Sequence, residues 1–314
     1  MALVSRSADL SGAGLSEAVG LGIQKIGQAG DRMEQLFLKA MGKINLGLDV
    51  IRKREDGYHE VRMIMQTVNV YDRIQIRKSG EPGIRLTTNL YFLPVNENNL
   101  VYKAAKLLMD EFGIAEGVDI DLQKYIPVAA GMAGGSADAA AVLYGVNKMF
   151  HLGLSKKELM KRGVTIGADV PYCLMRGTAL SEGIGEILTR LPAAPPCHVI
   201  IAKPGISVST KFVYSHLRLD EIQEHPDIDG IVQAIWEGSY EGVVSRLGNV
   251  LETVTGQHYP VIGEIERLLK EHGADGALMS GSGPTVFGLF QDEKKARAAH
   301  KVLEQSGLAK HRYL

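Results

Sequence analysis

Residues 127–140, Pro-Val-Ala-Ala-Gly-Met-Ala-Gly-Gly-Ser-Ala-Asp-Ala-Ala, are the part of the chain best suited to holding an anion. Small side chains let backbone amides approach a ligand closely, and a helix starting within the stretch adds unpaired N–H groups and the positive end of its dipole. Phosphate binding is the chemistry this pattern offers, although glycines also serve ordinary turns. It is neither the G-x-x-x-x-G-K-S/T loop, since no lysine follows Gly135, nor G-x-G-x-x-G. Residues 280–285, Ser-Gly-Ser-Gly-Pro-Thr, lie between two apolar runs and read either as a hairpin turn or as a second anion- or substrate-facing loop. The glycines of residues 20–27 have the wrong spacing for a dinucleotide fingerprint and follow no strand.

Asp169 stands in Gly-Ala-Asp-Val-Pro, flanked by small and apolar residues just before an expected strand. A carboxylate there can accept a proton from a hydroxyl nucleophile, or it can serve a turn or helix end. Lys43 opens an alternating apolar run; buried, its ammonium needs a nearby anion, and exposed, it is an ordinary strand-edge lysine. Tyr58 and His59 follow the Asp56-Gly57 turn signal. At a loop tip they can stack on and hydrogen-bond a planar ligand, or they can be a packed tyrosine and a solvated histidine. The remaining histidines show no zinc-ligand spacing.

The elements that must position these groups follow from periodicity. Ile44, Leu46, Leu48 and Val50 alternate with smaller or polar residues, which predicts a half-buried strand. Shorter strands are expected at 73–77 and around Val118, Ile120 and Leu122. A helix should follow Asn98 or Asn99 as its cap, and a second should span about 136–150 over the Ala-rich run. A third should start at the Ser155/Glu158 capping box. Residues 191–197 hold three prolines and break both periods. The expected division is therefore an N-terminal extension at 1–32, one domain over 33–190 and another over 191–314, with Met33 a candidate natural start. Beyond the prolines, a strand near 198–202, several helices, strands near Ala277 and up to Phe290, and a closing helix complete an α+β pattern.

Composition narrows the function classes. The 314 residues carry 35 Lys plus Arg against 36 Asp plus Glu, a net charge of −1, so no basic field is available for nucleic acid. No apolar run approaches the ~20 residues of a membrane span, and residues 1–32 match neither a secretory nor a transit pattern. Cys173 and Cys197 are too few for a disulfide framework and read as unpaired thiols of a reducing, cytoplasmic setting. A monomer or weak dimer is expected.

Four segments in order, KINLGLDVIRKREDGYHEV, IPVAAGMAGGSADAAAVL, GADVPYCLMRGTALSEGIGE and GSGPTVF, resemble the GHMP small-molecule kinase superfamily. The resemblance covers about 33–290. It implies a two-domain α+β fold, with a ribosomal-protein-S5-like ATP-binding domain followed by a ferredoxin-like α+β domain. ATP and Mg²⁺ are the implied cofactors. On this resemblance the nucleotide side comprises Pro127, Ala129, Ala130, Gly131, Met132, Ala133, Gly134, Gly135 and Ser136, with Lys124 and Asn99 near the adenine. Ser136 is the implied metal ligand. Ala129 and Ala130 replace glycines of other members; alanine permits the same close approach where φ is negative, so function is expected to survive.

The same resemblance makes Asp169 the catalytic acid and Lys43 the catalytic lysine. Lys43 would keep the carboxylate ionised and offset charge at the transferring phosphoryl group. Asn45, Tyr58, His59, Thr210 and Tyr214 fall on the substrate side, and the GYHEV turn points to a small alcohol carrying a cytidine diphosphate. The alternatives are another alcohol such as homoserine or mevalonate, which has no nucleobase to stack, and a non-catalytic nucleotide sensor that has kept the site.

Overall fold

The computed structural model describes residues 34–314; the readings made for residues 1–32, Met33 and the glycines of 20–27 lie outside them. The first part of the chain runs β1 (Gln35–Lys53), β2 (His59–Ser79), β3 (Ile84–Thr88), α1 (Leu100–Glu111), β4 (Gly117–Gln123), α2 (Gly134–Met149), α3 (Lys156–Gly163), α4 (Val170–Met175), β5 (Thr178–Glu182) and β6 (Ile187–Arg190). The second runs β7 (His198–Lys203), α5 (Thr210–His216), α6 (Ile228–Trp236), α7 (Tyr240–Val244), β8 (Gly248–Asn249), α8 (Glu252–His258), α9 (Val261–Glu271), β9 (Gly276–Met279), β10 (Val286–Phe290), α10 (Glu293–Ser306) and β11 (His311–Tyr313). Residues 191–197, in neither helix nor strand as three prolines lead one to expect, carry the chain from one sheet to the other.

A long antiparallel β1–β2 pair is the spine of the first sheet, ordered β3-β4-β2-β1-β8, with β5 added on β2 and β6 on β5. The second sheet, β11-β7-β10-β9, is antiparallel throughout, and its strands come in the order 4-1-3-2 of a ferredoxin-like βαββαβ unit. The two parts are not separate in the sheet, because β8 of the second pairs in parallel with Gly47 and Leu48 of β1.

The strand expected to be half buried is buried on both faces from Gly42 to Val50. α6 covers the face that alternation assigns to solvent: a Cβ on Gly47 would lie 2.7 Å from Ile231 and 2.8 Å from Ile228. Strand β1 also begins well before Lys43, so that lysine is central in the strand rather than at its start. Register shifts between Met41 and Lys43 and between Asn45 and Gly47 bracket this segment. Leu38 and Leu48 therefore pack with the α2 side of the core while Ile44 and Leu46 turn to the α6 side. Lys43 and Asn45 are left facing the helices, the re-aiming that bulges beside functional sites perform.

Helix α2 is buried nearly all round, so its sequence is Ala-rich instead of amphipathic. Gly145 allows that seating; a Cβ there would come within 2.5 Å of Ile76 and 2.8 Å of Leu38. In the second part, Glu252 on α8 accepts the Met279 amide at 3.3 Å, and burial beside Glu252 pushes the Glu266 carboxyl on α9 up to about 8. The folded protein then keeps a proton that the unfolded chain, with an ordinary value of 4.5, has released. Stability is fully present below about 4.5 and is lost as pH rises to about 8. The melting temperature should fall between about pH 5 and pH 8, and Glu266→Gln should flatten that slope; parallel slopes for the two proteins would exclude this source.

Candidate active site

After β4 the chain turns at Lys124, passes through residues 127–133 and enters α2. Ala133 is the N-cap, with no side-chain capping bond and no acid in the first turn, so the leading amides of α2 have no acceptor among neighbouring side chains. Ala129, Gly131 and Ala133 hold φ of 51°, 70° and 55°. The negative φ on which tolerance of alanine was argued is thus absent at Ala129. A left-handed alanine costs roughly 1–2 kcal/mol, and it persists because contacts around the loop determine its path. Gly131 is the tightest of these contacts: a Cβ on it would meet the Ser280 carbonyl at 2.2 Å.

Residues 280–285 are both a hairpin connection and a wall of the site. They join antiparallel β9 and β10 and contain a cis Gly283–Pro284 bond. Ser280 Oγ donates to the Gly131 carbonyl at 3.1 Å. Asn249 fixes the turn from behind, donating to the carbonyls of Met279 and Gly281 at 2.9 and 2.8 Å.

Lys43 meets the loop from β1. Its ammonium donates to Asn45 Oδ1 at 2.7 Å and to the Gly131 carbonyl at 3.0 Å, and its amide donates to the Met132 carbonyl at 3.1 Å. Burial lowers its pKa, partly opposed by the Asp169 carboxylate and the Cys173 thiol. Lys43 is thus a buried cation with polar partners, acting on Asp169 across space. Asn45 is fully buried, its amide against Met63 Sδ at 3.2 Å.

The segment expected to be a strand after Asp169 is α4 instead. Pro171 in the first turn fits a helix start, where its missing N–H costs nothing, and the six-residue apolar run has no period to tell the two states apart. Asp169 occupies the N-cap position, yet its side chain makes no capping hydrogen bond. The carboxylate, partly exposed, is available to a ligand. Ser136 approaches from α2, its hydroxyl 3.6 Å from where a Gly167 Cβ would lie. Cys173, one turn into α4, is buried, and that burial pushes its thiol upward, away from reactivity.

On the other side, the Asp56 carboxylate accepts the Tyr58 amide at 3.0 Å and Gly57 takes φ 84°, closing the β1–β2 turn. His59 and Tyr214 meet with ring centroids 5.0 Å apart. Tyr214 is on α5, whose first residue, Thr210, shares a 2.9 Å hydroxyl contact with Ser282 of the glycine hairpin. Tyr58 is not part of this cluster; it stands 61% exposed at the turn.

Two expected nucleotide-side residues have structural partners. Asn99 caps α1 by accepting the Val101 amide at 2.9 Å, and its amide donates to the Pro94 carbonyl at 2.8 Å. The Lys124 ammonium is buried between Asp72 and Asp138. Ser282 lies within the glycine loop that the sequence singles out, whereas the two acids are not marked by it; the one available signal is Asp138, a lone acid in an Ala-rich helix. A cavity of about 700 Å³ opens elsewhere, on the opposite face of β1 beside Ile44 and Leu46, and none of the site residues named above lines it.

Residues 99–177 match the family described as GHMP kinases N terminal domain, and residues 231–308 match GHMP kinases C terminal. A curated relative from Lachnospira eligens, 4-diphosphocytidyl-2-C-methyl-D-erythritol kinase, is 59% identical over 281 residues, covering 90% of this chain and 98% of its own. A crystal structure of 4-(cytidine 5'-diphospho)-2C-methyl-D-erythritol kinase superposes with a TM-score of 0.74 at 32% identity, covering 86% of this chain and 95% of that one. A homoserine kinase structure from Cytophaga hutchinsonii, at TM-score 0.66 and 18% identity over 89% of this chain and 92% of its own, shares the fold. The chain belongs to the GHMP kinases, phosphotransferases that use ATP. Within them it falls in the family of 4-diphosphocytidyl-2-C-methyl-D-erythritol kinases.

Proposed function

We propose that the chain transfers the γ-phosphoryl group of ATP to the 2-hydroxyl of 4-diphosphocytidyl-2-C-methyl-D-erythritol, giving the 2-phosphate and ADP, a step of non-mevalonate isoprenoid precursor synthesis. The observation that carries this reading is the Lys43 ammonium bonded to the carbonyl of Gly131, which joins the anion-binding loop to the side where Asp169 stands free. Asp169 orients the acceptor hydroxyl and takes its proton as the new O–P bond forms and the bond to ADP breaks. Lys43 offsets negative charge at the transferring group. Gly134, Gly135 and Ser136 present first-turn amides to the phosphates.

Magnesium fits this set. Among the described residues no trio of His, Cys, Asp or Glu could hold a metal, but Mg²⁺ takes most of its oxygens from phosphates and water, and the Ser136 hydroxyl can supply one more. Bound there, the ion neutralises phosphate charge. No helix among the described residues is long and apolar enough to cross a membrane, and two unpaired thiols suit a reducing cytoplasm.

The tilted His59–Tyr214 pair provides aromatic surface for the cytosine, and the exposed Thr210 provides a polar contact toward the alcohol, while buried Asn45 acts by holding the Lys43 ammonium. Tyr214→Ala should raise KM for the cytidylated acceptor about tenfold, the usual worth of a base stacked on an aromatic ring, while KM for ATP stays within about twofold. Tyr58→Ala should have a smaller effect, since no ring of the cluster touches Tyr58. An unchanged acceptor KM in Tyr214→Ala would remove the base from this face and leave the choice of acceptor open.

A further inference from the structure

The anion-binding loop has left-handed residues along its length and no side-chain cap at its end; Lys43 and Ser280 hold its middle at Gly131, and its path depends as well on what holds its two ends. One buried group reaches both. Lys124, the last residue before the turn, donates from Nζ to Asp138 Oδ2 at 2.6 Å and to Asp72. Asp138 lies on α2, at the loop's exit. Asp72, on β2, also accepts the amides of Tyr125 and Ile126 at 2.5 and 2.7 Å, at the loop's entrance. The Lys124 backbone is fixed in turn by Asn89, which accepts its amide at 2.8 Å and donates to its carbonyl at 3.1 Å.

The start of α2 rests on this group. A Cβ on Gly134 would lie 3.3 Å from Lys124 Nζ and 3.0 Å from Ile126 Cγ2, so the first helical residue has no room to shift downward. Asp72, Lys124 and Asp138 are 0%, 8% and 2% exposed. Two acids around one ammonium leave a surplus negative charge in a buried place, where a charge without a partner is costly. Burial and the neighbouring Asp72 push Asp138 well upward, while burial lowers Lys124 and the two acids together outweigh it, holding Lys124 above its ordinary value.

We propose that Asp72, Lys124 and Asp138 are a clamp that fixes the spacing between the two ends of the phosphate loop, which makes Lys124 a positioning residue for nucleotide binding rather than a group that touches the adenine. The proposal rests on residues 127–136 being the phosphate site. Strain in the loop gives the clamp its purpose: left-handed alanines persist only where the surroundings over-determine them.

The test is ADP binding by calorimetry on the full chain, together with KM for ATP and for the acceptor. Asp138→Ala, which unties the exit, should weaken ADP about tenfold and raise KM for ATP alike, with acceptor KM within about twofold. Asp138→Asn keeps an acceptor for Lys124 without the surplus charge and should restore binding to within about twofold of wild type. Lys124→Met should be at least as weak as Asp138→Ala; if it fails to fold, the Asp138 pair decides alone. Wild-type ADP affinity in Asp138→Ala would overturn the clamp, as would equal weakening of ADP and acceptor in step with lost melting temperature. Ser136→Asp separates this from the parent reading by placing a carboxylate where the phosphate sits. Its loss of ADP binding is expected, and ADP binding retained there would refute the phosphate loop itself, and the clamp with it.

Discussion

Asp169→Asn is expected to lower kcat about a thousandfold, the middle of the range for removing a general base, with KM for ATP and for the acceptor each within about threefold. The direction follows from position. Asp169 sits at the head of α4 with its carboxylate uninvolved in capping, so the amide replacement leaves the helix as it is. What disappears is the oxygen that takes the hydroxyl proton, a contact strengthened only as the reaction proceeds. A kcat within tenfold of wild type would show that the acceptor loses its proton by another route, and a matching rise in both KM values would make Asp169 a ground-state binding group instead.

Lys43→Met should cost about a hundred- to a thousandfold in kcat and, unlike Asp169→Asn, should also raise KM for ATP. The difference comes from what the ammonium holds in the resting protein. It ties Asn45 on the strand to the Gly131 carbonyl, and Gly131 is wedged against the Ser280 carbonyl, so its loss leaves the buried Asn45 Oδ1 without a donor, leaves the Gly131 carbonyl to Ser280 Oγ alone, and loosens the loop. Lys43→Arg should not rescue activity, because a planar guanidinium is larger than the buried space and cannot place a point charge there. Burial holds the lysine below its ordinary 10.5, so the alkaline limb of kcat should begin below that value and be absent in Lys43→Met. A variant with altered kcat but wild-type KM for ATP would separate the charge of Lys43 from its grip on the loop.

Local signals carried much of the fold. The Ser155/Glu158 capping box is present with both of its reciprocal bonds, and of the two candidate caps before α1, Asn98 and Asn99, the structure uses Asn99. The errors arose where distant chain decides the outcome. β1 alternates like a half-buried strand, but its second face is covered by α6, nearly two hundred residues on, and alternation carries no record of that partner. VPYCLM is apolar and short, and at that length a helix and a buried strand leave the same trace. β8, two residues long, is below any periodicity.

The site divides the same way. Lys43 and Asp169 are unremarkable in isolation and became readable only as members of an ordered set of motifs, since no spacing rule links residues so far apart. The His59–Tyr214 pair likewise depends on α5 reaching the β1–β2 turn. The resemblance alone places Lys124 near the adenine; its two acids, Asp72 and Asp138, are brought to it by folding and leave no trace in the neighbouring sequence. A buried cation announces itself in sequence only when its counter-ions are neighbours in the chain.

The reaction itself is tested most directly by incubating the purified chain with ATP and Mg²⁺ and, separately, 4-diphosphocytidyl-2-C-methyl-D-erythritol, homoserine and mevalonate, then measuring ADP release and product mass. Turnover confined to the cytidylated alcohol, with one phosphoryl group added, is the predicted result. Comparable kcat/KM on homoserine or mevalonate would contradict the nucleobase site while leaving Asp169 and Lys43 in place, and nucleotide binding without transfer to any of the three would contradict the kinase reading.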